Sequence, residues 1–123
     1  MVIARFEKLD AWRDSHALAL QVGKLSRTFP RDELYDLSAQ FRRAARSVSA
    51  NLAEGVGSQT PSTFLRHVGI ALGSLAETEN HVILAKDEGY ITDEMCSGIR
   101  ERIFHIRGLT LRLARSLRRR LPR

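Results

Sequence analysis

The chain has 123 residues, 43% of them apolar, with three prolines, eight glycines and no repeat or linker-like stretch; this fits one compact domain over residues 1–123 and excludes a solenoid or a linker-joined pair. A single cysteine, Cys96, excludes an internal disulfide and a multi-cysteine metal site. The formal net charge is +6, yet residues 100–123 hold nine arginines against one acid while the other 99 residues come to −2, so the basic character belongs to the C-terminal segment and points to a polyanion or an acidic partner.

Residues Met1 to Trp12 carry a charge every few positions and lack the apolar run of a signal peptide or membrane span. A cytoplasmic location without membrane contact is expected. Asp10 reads as the N-cap of a first helix over about residues 10–29, whose stripe is Ala11, Ser15, Leu18, Val22, Leu25 and Phe29. Pro30 ends it, because its ring blocks the hydrogen-bond ladder and forces Phe29 out of helical geometry. The second helix starts between Asp32 and Ser38, both good caps, and spans about 36–55, with Gly55 read as a C-terminus free to take positive φ. Its stretch QFRRAARSVSANLAEG puts Phe41, Ala44, Ala45, Val48 and Leu52 on one face and Arg43, Ser47, Asn51 and Glu54 on a polar stripe beside it.

The segment GVGSQTPS is a loop, and Thr60–Pro61 is a capping hydroxyl followed by a residue suited to the first helical position. The third helix, about 61–88, carries Phe64 or Leu65, Val68, Leu72, Leu75, Glu79, Val82 and Ala85 on its core side, and Gly89 closes it. Gly69 and Gly73 each cost this helix about 1 kcal/mol relative to alanine, so a close helix crossing is expected to compensate. Thr92, with Asp93 and Glu94 behind it, caps a fourth helix over about 93–119. Met95, Ile99, Ile103, Ile106, Thr110, Leu113 and Leu117 form its core stripe. Arg100, Arg107, Arg112, Arg115, Arg118 and Arg119 fall on the opposite side, with Phe104 and Leu111 among them. Two large apolar residues seven apart in an arginine-rich face are read as a subunit contact.

No two-residue alternation persists long enough for a strand. Four amphipathic helices with short connections give an all-α, antiparallel up-down-up-down four-helix bundle. Folding the second and third helices about the loop near Ser58 brings Arg43 opposite Ser74 and Glu77, which predicts an Arg43–Glu77 pair. The set Arg43, Ser47, Asn51, Glu54, Ser74 and Glu77 is read as a polar network that fixes helix register, not as a catalytic constellation.

The pattern of Phe29-Pro30, Glu33, Leu37, Gln40, Arg43-Ala44, Ser47, Asn51 and Ala53-Glu54-Gly55, then Gly73-Ser74, Glu77 and Gly89-Tyr90, resembles the four-helix-bundle proteins encoded within intervening sequences of bacterial 23S rRNA genes, also labelled S23 ribosomal proteins. The likeness covers nearly the whole chain. It implies a cytosolic bundle assembling into a ring, typically a pentamer, with no assigned molecular activity and no established ribosomal role. The fold is also similar to that of the accessory protein of diversity-generating retroelements, a basic pentamer that associates with a reverse transcriptase and nucleic acid. The ending RSLRRRLPR is a stronger arginine tail than the family pattern demands.

The loop GVGSQTPS precedes a helix N-terminus, but it lacks the strand and lysine of a phosphate-binding loop and is read as a plain turn. His16, His67, His81 and His105 are read as surface or interface histidines, not metal ligands. No nucleophile–base arrangement, metal or cofactor is expected, so the chain reads as a non-enzyme. Association with RNA or DNA through Arg107, Arg112, Arg115, Arg118, Arg119 and Arg120 is the leading expectation. A scaffold whose arginines meet an acidic protein partner is the alternative. The plain reading beside both is a solvated face in a chain that uses arginine over lysine throughout, 17 to 3.

Overall fold

A computed structural model describes residues 4–122, so the first three residues and Arg123 of the expected domain lie outside the described residues. Four α-helices follow a 3-10 helix over Arg5–Lys8: α1 Asp10–Ser26, α2 Leu37–Gly57, α3 Pro61–Asp87 and α4 Asp93–Arg119. Each packs against its chain neighbours, and α4 returns to α1, which closes the antiparallel bundle. Leu18, Val22, Phe41, Val48, Leu52, Val68, Leu75, Val82, Ile103 and Ile106 are fully buried, one stripe from each helix.

The helix starts follow local chemistry. Thr60 Oγ1 accepts from the Thr63 backbone N–H at 3.2 Å and Thr92 Oγ1 from that of Met95 at 3.1 Å, satisfying donors that the first turn leaves free. Asp10 is not the cap expected for α1: Leu9 occupies that position, and Asp10 is the first helical residue, paired with Arg13. Its charge still suits the positive end of the helix. The second helix begins at Leu37, after a 3-10 turn over Arg31–Glu33.

The first helix stops at Ser26, three residues short of Phe29. The hydroxyl of Ser26 donates to Gly23 O and that of Thr28 to Leu25 O, and the backbone tightens into Thr28 N–H to Leu25 O and Phe29 N–H to Ser26 O. Ser38 Oγ donates to the same Ser26 carbonyl at 3.1 Å. Phe29 is released to stack on Phe41, with ring centres 5.9 Å apart, and to lean on Tyr90 at 5.5 Å.

Gly89 closes α3 with φ of +81°. Its N–H reaches Lys86 O and that of Tyr90 reaches Ala85 O, both at 2.9 Å, the paired bonds of a Schellman motif that only glycine enters without strain. Gly55 differs from expectation. It lies inside α2, and its value is space: a Cβ there would fall 2.6 Å from Phe64 Cδ1 and 3.3 Å from His67 Cβ. The glycine lets α3 cross α2 closely.

Two further expectations change. Met95 is 44% exposed and, with Leu25 and Ile99, lines an open depression of about 520 Å³ between α1 and α4, while Ala114 takes a buried place on α4. Nothing lies within 4 Å of a Cβ built at Gly69 or Gly73, so no close crossing within the chain offsets those glycines.

The turn after α3 is tied down by Tyr90, whose hydroxyl donates to Glu33 Oε2 at 2.6 Å. That bond, then desolvation and the nearby carboxylates of Glu33, Glu88 and Asp32, push the phenol up to about 12. The folded chain favours the neutral phenol, so this contribution to stability is complete below the ordinary tyrosine value of about 10. It is lost as pH rises through about 12. In Tyr90→Phe, the alkaline loss of stability measured by denaturant unfolding should flatten between those limits, and the latest tyrosinate absorbance step should vanish. Identical alkaline profiles in both proteins would remove this bond from the account.

Candidate functional site

The seam between α2 and α3 is polar. Ser74 Oγ donates to Ser47 Oγ at 2.8 Å, and Asn51 Nδ2 donates to Ser47 O at 2.9 Å and to Ser47 Oγ at 3.1 Å. Asn51 Oδ1 lies 3.1 Å from His67 Nδ1, and Glu54 Oε2 lies 3.6 Å from the same nitrogen. Ser47, Asn51, Glu54 and Ser74 are thus brought together, with His67 as a member that the sequence reading, which had it as a surface or interface histidine, did not include. A His67 sixteen residues from Asn51 meets it only because α2 and α3 fold back on each other. The chain of contacts pins the register of the two helices.

Arg43 and Glu77 stand outside this network, and the expected ion pair between them does not form. Both are exposed at the rim, where holding two long side chains together yields little. Arg43 instead borders a shallow depression with Arg42, Arg46 and Ser47, and Glu77 Oε1 sits 3.6 Å from His81 Nε2 one turn along α3. His81 itself corrects the surface reading: it is 7% exposed, edge-on to Phe41.

Apart from Arg102, which is exposed near the middle of the helix, the arginines of α4 and its C-cap divide into two groups. Arg100 Nε and Arg107 Nη2 donate to the two oxygens of Glu79, at 3.1 and 3.2 Å. Partial burial opposes charge on Glu79, but the two guanidinium groups outweigh it and hold the carboxyl below its ordinary value. Arg107 is therefore an internal clamp between α3 and α4, which removes it from the exposed set expected from sequence. Arg112, Arg115, Arg118, Arg119 and Arg120 are exposed, and none forms an ion pair among the described residues. They occupy the last turns of α4, where cations also suit the helix dipole. Arg5, from the N-terminal 3-10 helix, joins Arg120 around a depression at the same end.

Phe104, 75% exposed, lies beside the Glu79 clamp, and Leu111, two turns further along α4, is 40% exposed. Among the described residues, no group of three or more His, Cys, Asp or Glu is arranged to hold a metal ion, and no helix is long and apolar enough to cross a membrane.

Residues 7–111 match the family model of the 23S rRNA-intervening sequence protein. The chain belongs to that family. A crystal structure of a protein with unknown function from the S23 ribosomal protein family, from Bacteroides thetaiotaomicron VPI-5482, is similar in fold. It has a TM-score of 0.79 and 25% sequence identity, over 85% of this chain and 97% of that one. No curated protein matches the chain. The family match ends at Leu111, so the exposed arginines from Arg112 to Arg120 lie beyond it, whereas the Ser47–Asn51–His67–Ser74 seam lies within it.

Proposed function

We propose that this member of the 23S rRNA-intervening sequence protein family is a non-enzymatic, cytoplasmic bundle that associates with RNA or DNA through the arginine end of α4. The observation that carries this reading is the division of the arginines. Arg100 and Arg107 share the one carboxylate of Glu79, while Arg112, Arg115, Arg118, Arg119 and Arg120 are exposed toward one end of the bundle with no ion pair among the described residues. Each guanidinium that neutralises a phosphate releases counterions, so affinity falls steeply with salt. Phe104 is the one exposed aromatic along α4, which supports sequence-tolerant backbone contact over base readout.

Changing Arg115, Arg118, Arg119 and Arg120 together to Gln should weaken binding to single-stranded RNA and to duplex DNA at least about tenfold and lower the salt slope by about three. Fluorescence anisotropy at several salt concentrations reads both. Equal affinity and slope in the two proteins would end this reading, and binding only to an acidic protein would replace it with the scaffold reading.

Self-association would multiply the arginine patch. Phe104 and Leu111, large apolar groups left in water, support a homo-oligomer, and the family resemblance makes a pentamer the expected form. Light scattering on Phe104→Glu should give a smaller mass than the parent protein. The same mass in both would rule out Phe104 as the contact.

A further inference from the structure

The first turns of α2 carry a second group of arginines. Arg42, Arg43 and Arg46 border a shallow depression of about 440 Å³, and Ala39, Ser47 and Ala50 complete its lining. No carboxylate borders it, and none of the three guanidinium groups forms an ion pair among the described residues. Arg42 and Arg43 each stand one turn before Arg46, with about 5–6 Å between Cβ atoms, a spacing at which like charges repel along a helix. Glu79 gives Arg100 and Arg107 a shared counter-charge; among the described residues no carboxylate does so on this face of α2.

Basic surface alone does not make a site, but two further groups here are arranged to donate. Ser47 Oγ accepts from Ser74 Oγ at 2.8 Å and from Asn51 Nδ2 at 3.1 Å, which takes both of its lone pairs. Its own hydrogen has no acceptor among the described residues and is left to donate. Arg42 is half-buried, and its Nη1 donates to Oγ of the buried Ser26 at 3.1 Å, which anchors the guanidinium across the α1–α2 seam without neutralising it.

The depression therefore offers donors and positive charge, so a cation is excluded and an anion with several acceptor oxygens fits. Three cations within five residues match a charge of about −2, which a phosphate monoester or a diphosphate carries and a carboxylate or a phosphodiester lacks. Guanidinium forks meet phosphate oxygens in pairs. The methyl side chains of Ala39 and Ala50 keep the space between the arginine arms open, and its volume lies in the range of small-molecule sites.

We propose that this depression binds a phosphate-monoester or diphosphate group, with Arg43 and Arg46 supplying paired donors, Arg42 an anchored third cation and Ser47 a hydroxyl hydrogen. The same group comes free, as phosphate or diphosphate, or carried by a nucleotide. Because α4 packs on α1 and α3, this face of α2 lies across the bundle from the arginine end, and the site does not depend on nucleic-acid binding there.

The test uses the full chain, with sodium diphosphate and ADP as probes and ¹H–¹⁵N spectra reading the arginine Nε–H groups and the Ser47 amide. Either probe should shift the Arg43, Arg46 and Ser47 signals saturably, at one site per chain, beyond the effect of sodium chloride at matched ionic strength. The variant Arg43→Gln/Arg46→Gln, altered only at exposed positions, should weaken binding at least about tenfold. The Arg118→Gln/Arg119→Gln variant, with the same loss of charge, should bind as the parent does. No saturable shift at these residues, an equal shift from dimethyl phosphate, or equal weakening in the two variants would each overturn the proposal. Tighter binding of ADP than of diphosphate assigns the natural ligand to a nucleotide, and the reverse assigns it to the free anion. A short RNA that displaces diphosphate at lower concentration than ADP does would overturn the small-ligand assignment and give this face to nucleic acid.

Discussion

Phe41→Ala should lower the unfolding free energy by about 3–5 kcal/mol, as deletion of a large buried ring does when its surroundings relax only in part. Phe41 has no exposed surface, stacks on Phe29, and meets His81 edge-on at 6.5 Å, so one truncation loosens α2, α3 and the turn after α1 together. Denaturant unfolding followed by circular dichroism reads the loss. A change under about 1 kcal/mol would mean that Phe41 does not anchor this end of the core.

Gly55→Val should cost about 3 kcal/mol, the upper part of the range for forcing atoms into a packed interior. The first added carbon already collides with the Phe64 ring and approaches His67 Cβ, which is held by its own backbone. Gly73→Ala should act in the opposite direction, raising stability by about 1 kcal/mol, because its added methyl meets nothing within 4 Å and the helix loses a flexible residue. Thermal and denaturant unfolding of the two variants side by side give the signs. Equal small effects at both glycines would contradict the close crossing of α2 and α3.

These two glycines mark how far the sequence could be read. Where the determining partner is a near neighbour in the chain, the reading agrees with the structure. Thr60 and Thr92 cap their helices through bonds to residues three further on, and Gly89 takes positive φ inside its own Schellman turn. The bundle architecture was legible for the same reason, since the buried stripes follow the helical period. Readings that depended on another helix were less secure. Gly55 looked like a C-cap until Phe64 of α3 came to lie against it. Arg107 looked free because Glu79, which clamps it, is 28 residues away. His81 was read only as a surface or interface histidine, because its side of α3 is buried by the way that helix leans on α2. In the polar seam, Ser47, Asn51 and Ser74 were legible from spacing on two helices, while Arg43 and Glu77 at the rim had no packing to hold them together.

The antiparallel course of the helices sets the guanidinium cluster and the carboxylate-rich end around Glu33, Asp36 and Glu88 at opposite poles. The helices α3 and α4 each run 27 residues, a length of about 40 Å at 1.5 Å per residue. In physiological salt the field of a charge decays over about 8 Å, so the poles are several screening lengths apart. A polyanion held at the guanidinium pole would be electrically screened from the other. A linear polyanion meeting the cationic pole would leave the molecule standing on end, its acidic mouth turned outward to the solution.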